Sequence, residues 1–481
     1  MSIQSIKNKT TRTRVLPWLF LISICFLTVA LYNASFTNFF FQDDFFNLTL
    51  ALKQSPLDAI NIFKKPILDF YFYRPLSTQV FWRAGFSLFG WNVFGYHLVT
   101  FLFFLLNILL VYLFTAGLSK NKKIALLTAF FYGLSATHFY RLFFLSQFQE
   151  ILLGTFIFSS LIFYLRTNSL VVLTFILALM TKETAVVLPA ALLGLDFLLH
   201  RKIQRKLWLL VLVDVLYLLI RFKFFGFAQG EVYHYNFSPK AVLNNFFWYS
   251  IWSLGLPEHY SSIKLFVRPT LLNLKLVTGF GAWGNRILVS LIFFVTFIGL
   301  VLKFHFRKII TWKEFWLALG IFGIFLLPVA FYPFHKFAYS LTVPLLGTSL
   351  FLAVIFRNLS GKALGMVVLT YLFITLTALE YNKEQHWATG KAQTGQKVFA
   401  YFRENFPYGV DQAVYFRNYS DPFCKMRFLK KSSEVSYGIG GSDGLRLLYH
   451  RDDLPVYFED FDNYVHFTPD MLVLDSRQFV R

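Results

Sequence analysis

From residue 16 to about residue 380 the chain repeats one pattern, an apolar run followed by a short polar break. A helix needs about 20 predominantly apolar residues to cross a hydrocarbon core. The runs predict crossing helices over 15–32 and 96–118, a third ending at 138–141, a fourth over 148–165, and a short fifth reaching Lys182 and Glu183. A sixth descends to the cluster Arg201, Lys202, Arg205 and Lys206, and a seventh occupies 207–220; four more follow over 286–303, 314–331, 337–356 and 363–380. The sum is about eleven crossings. The apolar segment 242–256 is read as a re-entrant or interfacial helix, because a full crossing there would put every later basic cluster on the wrong side.

Beyond residue 385 the pattern becomes mixed polar and aromatic. An amphipathic helix is expected over 397–405, a strand over 413–418, Ser442 as a cap before a helix over 445–449, and strands over 455–458 and 471–474. The expected fold is therefore an all-α polytopic membrane domain, residues 1–384, with a first outer loop over 34–94. A small α/β domain, residues 385–481, follows on the extracytoplasmic side. No internal repeat and no low-complexity tract interrupts this plan.

Composition agrees with lipid as the solvent: of 481 residues 56% are hydrophobic and 20% aromatic, with a mean hydropathy of +0.54. The net charge of +21 would suit a nucleic-acid partner if it were clustered on one surface. Here the lysines and arginines alternate with the apolar runs, as insertion orientation requires, so nucleic acid is set aside. That alternation places the amino terminus in the cytoplasm and the carboxyl terminus outside; the expected membrane is the plasma membrane of a prokaryote in preference to the endoplasmic reticulum, while the host itself is not readable from the residues. The basic start at Lys7, Lys9, Arg12 and Arg14, followed by an apolar run without a small-residue cleavage site, is expected to be a retained signal anchor. The two cysteines, Cys25 in that first run and Cys424 in the polar tail, cannot pair within one chain.

Ionisable groups near lipid are costly, so their placement is informative. They gather at the predicted outer rim. Asp43 and Asp44 follow the first span; such a pair beside lipid can raise one carboxyl toward general-base strength, whereas two solvated loop acids, one capping the helix that starts at Phe45, are the plainer alternative. Arg74, in Tyr73-Arg74-Pro75-Leu76, presents a fork suited to a phosphate, or else snorkels to headgroups. Lys182 and Glu183 sit in a tight turn between two apolar helices, where the lysine can hold a phosphate and the glutamate orient it, or the two can form a mutual ion pair. His138, Arg221, His335 and Lys336 are weaker candidates at the same rim. Asp214 within the seventh span and His97 at the start of the second are expected to be scaffold, and no His-Glu-x-x-His spacing occurs.

In their order, Asp43-Asp44, Tyr73-Arg74-Pro75-Leu76, Gly95-Tyr96-His97 and Thr181-Lys182-Glu183-Thr184 give a chain that resembles the GT-C superfamily of integral-membrane glycosyltransferases. The nearest likeness is to the dolichyl-phosphate-mannose-dependent protein mannosyltransferase type. Tyr217-Leu218-Leu219-Ile220-Arg221 and Phe337-Ala338-Tyr339 are similar to later motifs of its transmembrane O-mannosyltransferase relatives, so the likeness covers about 41–380. It implies an inverting hexosyltransferase of the cell envelope. The donor would be a sugar on undecaprenyl or dolichyl phosphate, and the acceptor a hydroxyl of a glycan, lipid or protein.

In that reading Asp43 is the base, while Asp44 shares the role, orients the acceptor or holds a divalent cation. Arg74, Lys182, Arg221 and Lys336 meet the donor phosphate, with Glu183, His138 and His335 supporting. The pattern demands no cofactor. Two departures stand out: His335-Lys336-Phe337 replaces the arginine and tyrosine frequent in relatives, and no tetratricopeptide stretch is read in 385–481.

Two other classes compete. A secondary transporter or flippase would place ionisable groups near the midplane in two related halves; this chain has only Asp214 at that depth. A polysaccharide polymerase or ligase would use the same lipid carriers but carries its key loop late, whereas the acidic pair comes directly after the first span.

Overall fold

The computed structural model describes residues 3–53, 72–199, 202–226, 233–258, 266–268, 271–272, 283–309, 311–418, 431–462, 465 and 468–480. Residues 54–71 of the expected outer loop, Arg201 and Cys424 lie outside these. Among the described residues six helices are long and apolar enough to cross a membrane: Val15–Thr37, Val93–Ser119, Leu145–Leu165, Gly284–Val301, Lys313–Ala330 and Gly361–Gln385. The other five expected positions also carry helices, namely Lys122–Gly133, Leu170–Leu179, Leu188–Leu198, Arg205–Phe224 and Pro344–Phe356. Leu170–Leu179, with 10 residues, is only about 15 Å long, half the thickness of a hydrocarbon core. Arg205–Phe224 is longer but carries Asp214 and ends in Arg221 and Lys223.

Proline accounts for two of the short helices. Leu188–Leu198 and Pro344–Phe356 begin with Pro189 and Pro344 in their first turns, where a missing N–H costs nothing, and each follows a 3₁₀ segment, Glu183–Val187 and Ala338–Leu341. Those two non-α segments bound the candidate site.

The main core lies between the helices, with Ile108, Phe131, Phe158, Leu346 and Phe356 fully buried. Gly347 lets Pro344–Phe356 touch a neighbouring backbone: a Cβ there would stand 2.5 Å from Ala318 O of the helix Trp312–Ala330. Large apolar side chains such as Leu102, Leu173, Phe197, Trp208 and Leu369 face outward, an arrangement compatible with lipid. The helix Pro239–Ser253 buries Trp248, Tyr249 and Trp252 against Ile287, Leu291 and Leu326. Its 15 residues fall short of a crossing.

The carboxyl-terminal segment holds a parallel three-stranded sheet in which Val414–Arg417 lies between Val456–Phe458 and Leu472–Asp475, with Val414 opposite both Val456 and Leu472. The expected amphipathic helix is the last part of a longer one, Trp387–Asn405. Ser442 does precede a helix, Asp443–Tyr449, but its backbone is already helical and its side chain caps nothing. The unit's apolar core is shared: Phe399, Phe402, Val435 and Ile439 form one cluster with Phe40, Phe45, Leu48 and Trp82 of the first loop. Gly395 sets the closeness of that contact, because a Cβ would meet Gly438 O at 2.4 Å and Phe40 O at 2.9 Å.

Candidate functional site

The site is built around the turn that enters the helix Asp43–Lys53. Gln42 adopts a left-handed backbone (φ 48), uncommon for a residue with a side chain. Its N–H donates to Tyr437 O at 2.9 Å, so the carboxyl-terminal unit holds the turn. The kink sends the two aspartates opposite ways. Asp44 is fully buried and accepts from Phe41 N at 3.2 Å, Ser146 N at 2.7 Å and Ser146 Oγ at 2.5 Å. Burial pushes its carboxyl up to about 8 against those hydrogen bonds, with the Asp43 charge adding to the rise.

Asp43 is exposed and lines a cavity. Desolvation there raises its carboxyl above the usual range, and the Lys391 and Arg74 charges oppose that rise.

The cavity measures about 680 Å3. Asp43, Arg74, Lys182, Glu183 and Arg221 line its polar part, and Val186, Val187, Leu218, Phe222, Leu327 and Val329 its apolar part. The Arg74 segment reaches the Lys182 turn through two hydrogen bonds, Leu76 N to Met180 O at 3.3 Å and Ser77 Oγ to Thr181 O at 2.8 Å. Arg74 then donates through Nε to Glu183 Oε2 at 2.8 Å and through Nη2 to Glu183 Oε1, while Nη1 donates to Gln149 Oε1 at 2.7 Å. Burial alone would raise the Glu183 carboxyl, but the guanidinium holds it down at about 2.

Lys182 does not pair with its neighbour Glu183. Its ammonium donates to Glu150, both side chains being buried, and lies 5.1 Å from the centre of the Tyr339 ring. The alternative of a mutual ion pair is not what forms: two crossed pairs stand in its place, since Lys182 is in extended backbone and its side chain diverges from that of Glu183. Glu150 and Gln149 were not among the sequence candidates. Their signal was available, because Gln147, Gln149 and Glu150 form a polar patch at the start of the otherwise apolar helix Phe148–Leu165.

His335 lines the cavity with Nε2 3.0 Å from the Tyr339 hydroxyl, and burial, helped by the Lys182 and Arg74 charges, lowers it to about 4, so it is neutral near pH 7. Three candidates are not brought to the cavity wall. Asp44 is turned away as described. Lys336 donates to Pro333 O at 2.7 Å instead. His138 is buried below, donating from Nε2 to Tyr132 O at 2.7 Å and accepting from Arg141 at 2.7 Å. Arg141, fully buried, bonds Ala338 O at 3.1 Å and Tyr339 O at 2.9 Å, and Glu258 accepts from Ala338 N at 2.7 Å. These two residues brace the 3₁₀ segment that carries Tyr339.

Among the described residues no three His, Cys, Asp or Glu side chains converge on one point. Both Asp44 oxygens accept hydrogen bonds, and the charges nearest Asp43 are cationic. Among the described residues the donor set therefore offers no ready-made site for a divalent cation.

No protein-family model matches the chain, and no curated protein matches it either.

Proposed function

We propose that the chain is a membrane-embedded inverting glycosyltransferase of the GT-C type. It takes a sugar from a polyprenyl-phosphate donor and transfers it to an acceptor hydroxyl at the outer membrane face. All eleven expected positions would cross, the short helices being completed by their 3₁₀ connections, with the amino terminus cytoplasmic and residues 385–481 outside. The supporting observation is the cavity itself: Asp43 lines it together with Arg74, Lys182, Glu183 and Arg221, and Val186, Val187, Leu218, Phe222, Leu327 and Val329 add an apolar stretch. An amphiphile with an anionic phosphate fits that division.

In this reading Asp43 takes the proton of the acceptor hydroxyl as its oxygen attacks the anomeric carbon. The bond from that carbon to the phosphate oxygen breaks, and the electron pair leaves on polyprenyl phosphate. One displacement inverts the configuration, and a phosphate leaving group needs no general acid. Arg74 is fixed by Glu183 along one edge; its Nη1 donates to the neutral amide of Gln149, a partner that a phosphate oxygen outcompetes. Arg221 closes the same cationic rim.

Membranes containing the chain should transfer label from a polyprenyl-phosphate monosaccharide. Asp43→Asn should lower the rate by about 10²–10⁴-fold, the worth of a positioned base. Full activity in that variant would end the mechanism.

A further inference from the structure

Asp43 stands between two recesses. The second, about 380 Å3, adjoins the larger cavity and shares Asp43, Gln147, His335 and Tyr339 with it. Its volume lies within the roughly 300–1,000 Å3 of pockets that hold small ligands. Aromatic rings dominate its walls. Tyr140 and Phe144 stack at 5.7 Å, Phe337 and Tyr339 stack at 5.2 Å, and Trp387 stands across Tyr140 at 5.1 Å and 72°. Trp387 is only half buried and lines the recess.

Polar groups are set between these faces. Gln147 lines the recess and is 4% exposed, and its Oε1 is a buried acceptor with no hydrogen-bond partner among the described residues. Lys391 lies 4.5 Å from the centre of the Trp387 ring and 4.2 Å from that of Tyr437, and it donates to Gln42 Oε1 at 3.3 Å. Asp43 and Lys391, of opposite charge, both line the recess.

We infer that this smaller recess binds the acceptor, and that the acceptor is an uncharged saccharide whose apolar ring face packs on Trp387 while its hydroxyls reach Gln147 and Asp43. The inference rests on the glycosyltransferase reading and adds the substrate class to it. A pyranose offers what the walls require, one flat C–H face and a rim of O–H donors, and an aromatic ring with polar edges around it complements both. A serine or threonine side chain has a hydroxyl but no such face. Helix Trp387–Asn405 supplies both Trp387 and Lys391, so the carboxyl-terminal unit completes the site.

The test uses the purified full-length chain in lipid nanodiscs, with methyl hexopyranosides as probes in saturation-transfer NMR. A serine/threonine hexapeptide is tested in parallel, and polyprenyl phosphate binding is measured separately. Ring-face protons should saturate, and Trp387→Leu should weaken glycoside binding by about tenfold or more. Trp387→Tyr should retain most of the binding, Gln147→Leu should weaken it from the opposite wall, and polyprenyl phosphate affinity should be the same in both Trp387 variants. Glycoside binding that is absent from the wild type, or insensitive to both Trp387→Leu and Gln147→Leu, overturns the inference, as does binding of the hexapeptide alone. Failure of the underlying reading looks different: polyprenyl phosphate then does not bind, while the glycosides still bind through Trp387.

Discussion

Asp43 and Asp44, neighbours on the chain, face opposite environments: Asp43 opens into the cavity, and Asp44 is sealed against Phe41 and Ser146. The left-handed Gln42 before them and the helix that starts at Asp43 divide their roles. Asp43 is left facing the cavity, while Asp44 anchors the loop at Ser146, just before the helix Phe148–Leu165.

That burial has a pH consequence. The Asp44 carboxyl is raised from 3.8 to about 8, and that of Glu258 from 4.5 to about 8, chiefly by burial in both cases. A group raised on folding contributes stability that is fully present below its unfolded value and is lost as pH climbs through its folded value. Thermal melts in detergent should therefore show stability falling between about pH 4 and pH 8. Asp44→Asn should flatten that slope while lowering stability overall, since its amide cannot accept from both Phe41 and Ser146. A slope that Asp44→Asn leaves unchanged removes Asp44 as its source.

The Arg74–Glu183 pair predicts separate kinetic effects. Arg74→Lys keeps the charge but loses the fork, so the bond to Glu183 and the contact offered to a phosphate cannot both persist. Transfer assays should show kcat/KM down by about 10-fold or more, with most of the change in KM for the lipid donor. Glu183→Gln should act by misplacing Arg74, and acceptor KM should stay constant in both variants.

Lys182 and Glu150 form a pair with side chains 7% and 4% exposed. Removing one partner strands a buried charge, which costs about 3–5 kcal/mol, whereas replacing both with apolar residues is often nearly neutral. Lys182→Met and Glu150→Leu should each lower Tm substantially, and the double variant should recover most of the loss. A double-mutant cycle that sums without coupling would show that the two charges are stabilised independently.

Gly395 offers a purely steric test. A Cβ 2.4 Å from Gly438 O and 2.9 Å from Phe40 O forces backbone to move on two sides at once. Gly395→Ala should cost about 1–3 kcal/mol, measured as a lower Tm. It should also depress transfer, because the helix carrying Trp387 and Lys391 shifts relative to Asp43. Gly390→Ala, where nothing lies within 4 Å of the added carbon, is the matched control.

Helix positions were legible because a helix is a local object. Its apolar run, its proline at the first turn and the polar breaks around it are written consecutively, so 15–32, 96–118 and 363–380 could be marked without knowing what packs beside them. The turn 43–44 was legible as a candidate for the same reason, since two acids beside a long apolar run are costly wherever the chain goes. Less visible was the weight of Glu150: a single carboxylate in an apolar helix reads as a minor polar position until a buried lysine is found beside it.

The sequence by itself therefore determined where the helices lie and which charged groups had to be accommodated beside an apolar environment. Which acid would face the cavity, and which carboxylate each cation would take, was decided only by tertiary packing. Arg74 meets Glu183 across 109 residues and Lys182 meets Glu150 across 32, while Lys391 reaches Gln42 across 349. Contacts at such separations depend on how whole helices dock, and docking is set by van der Waals fit at places like Gly347 and Gly395, whose crowding no linear pattern records.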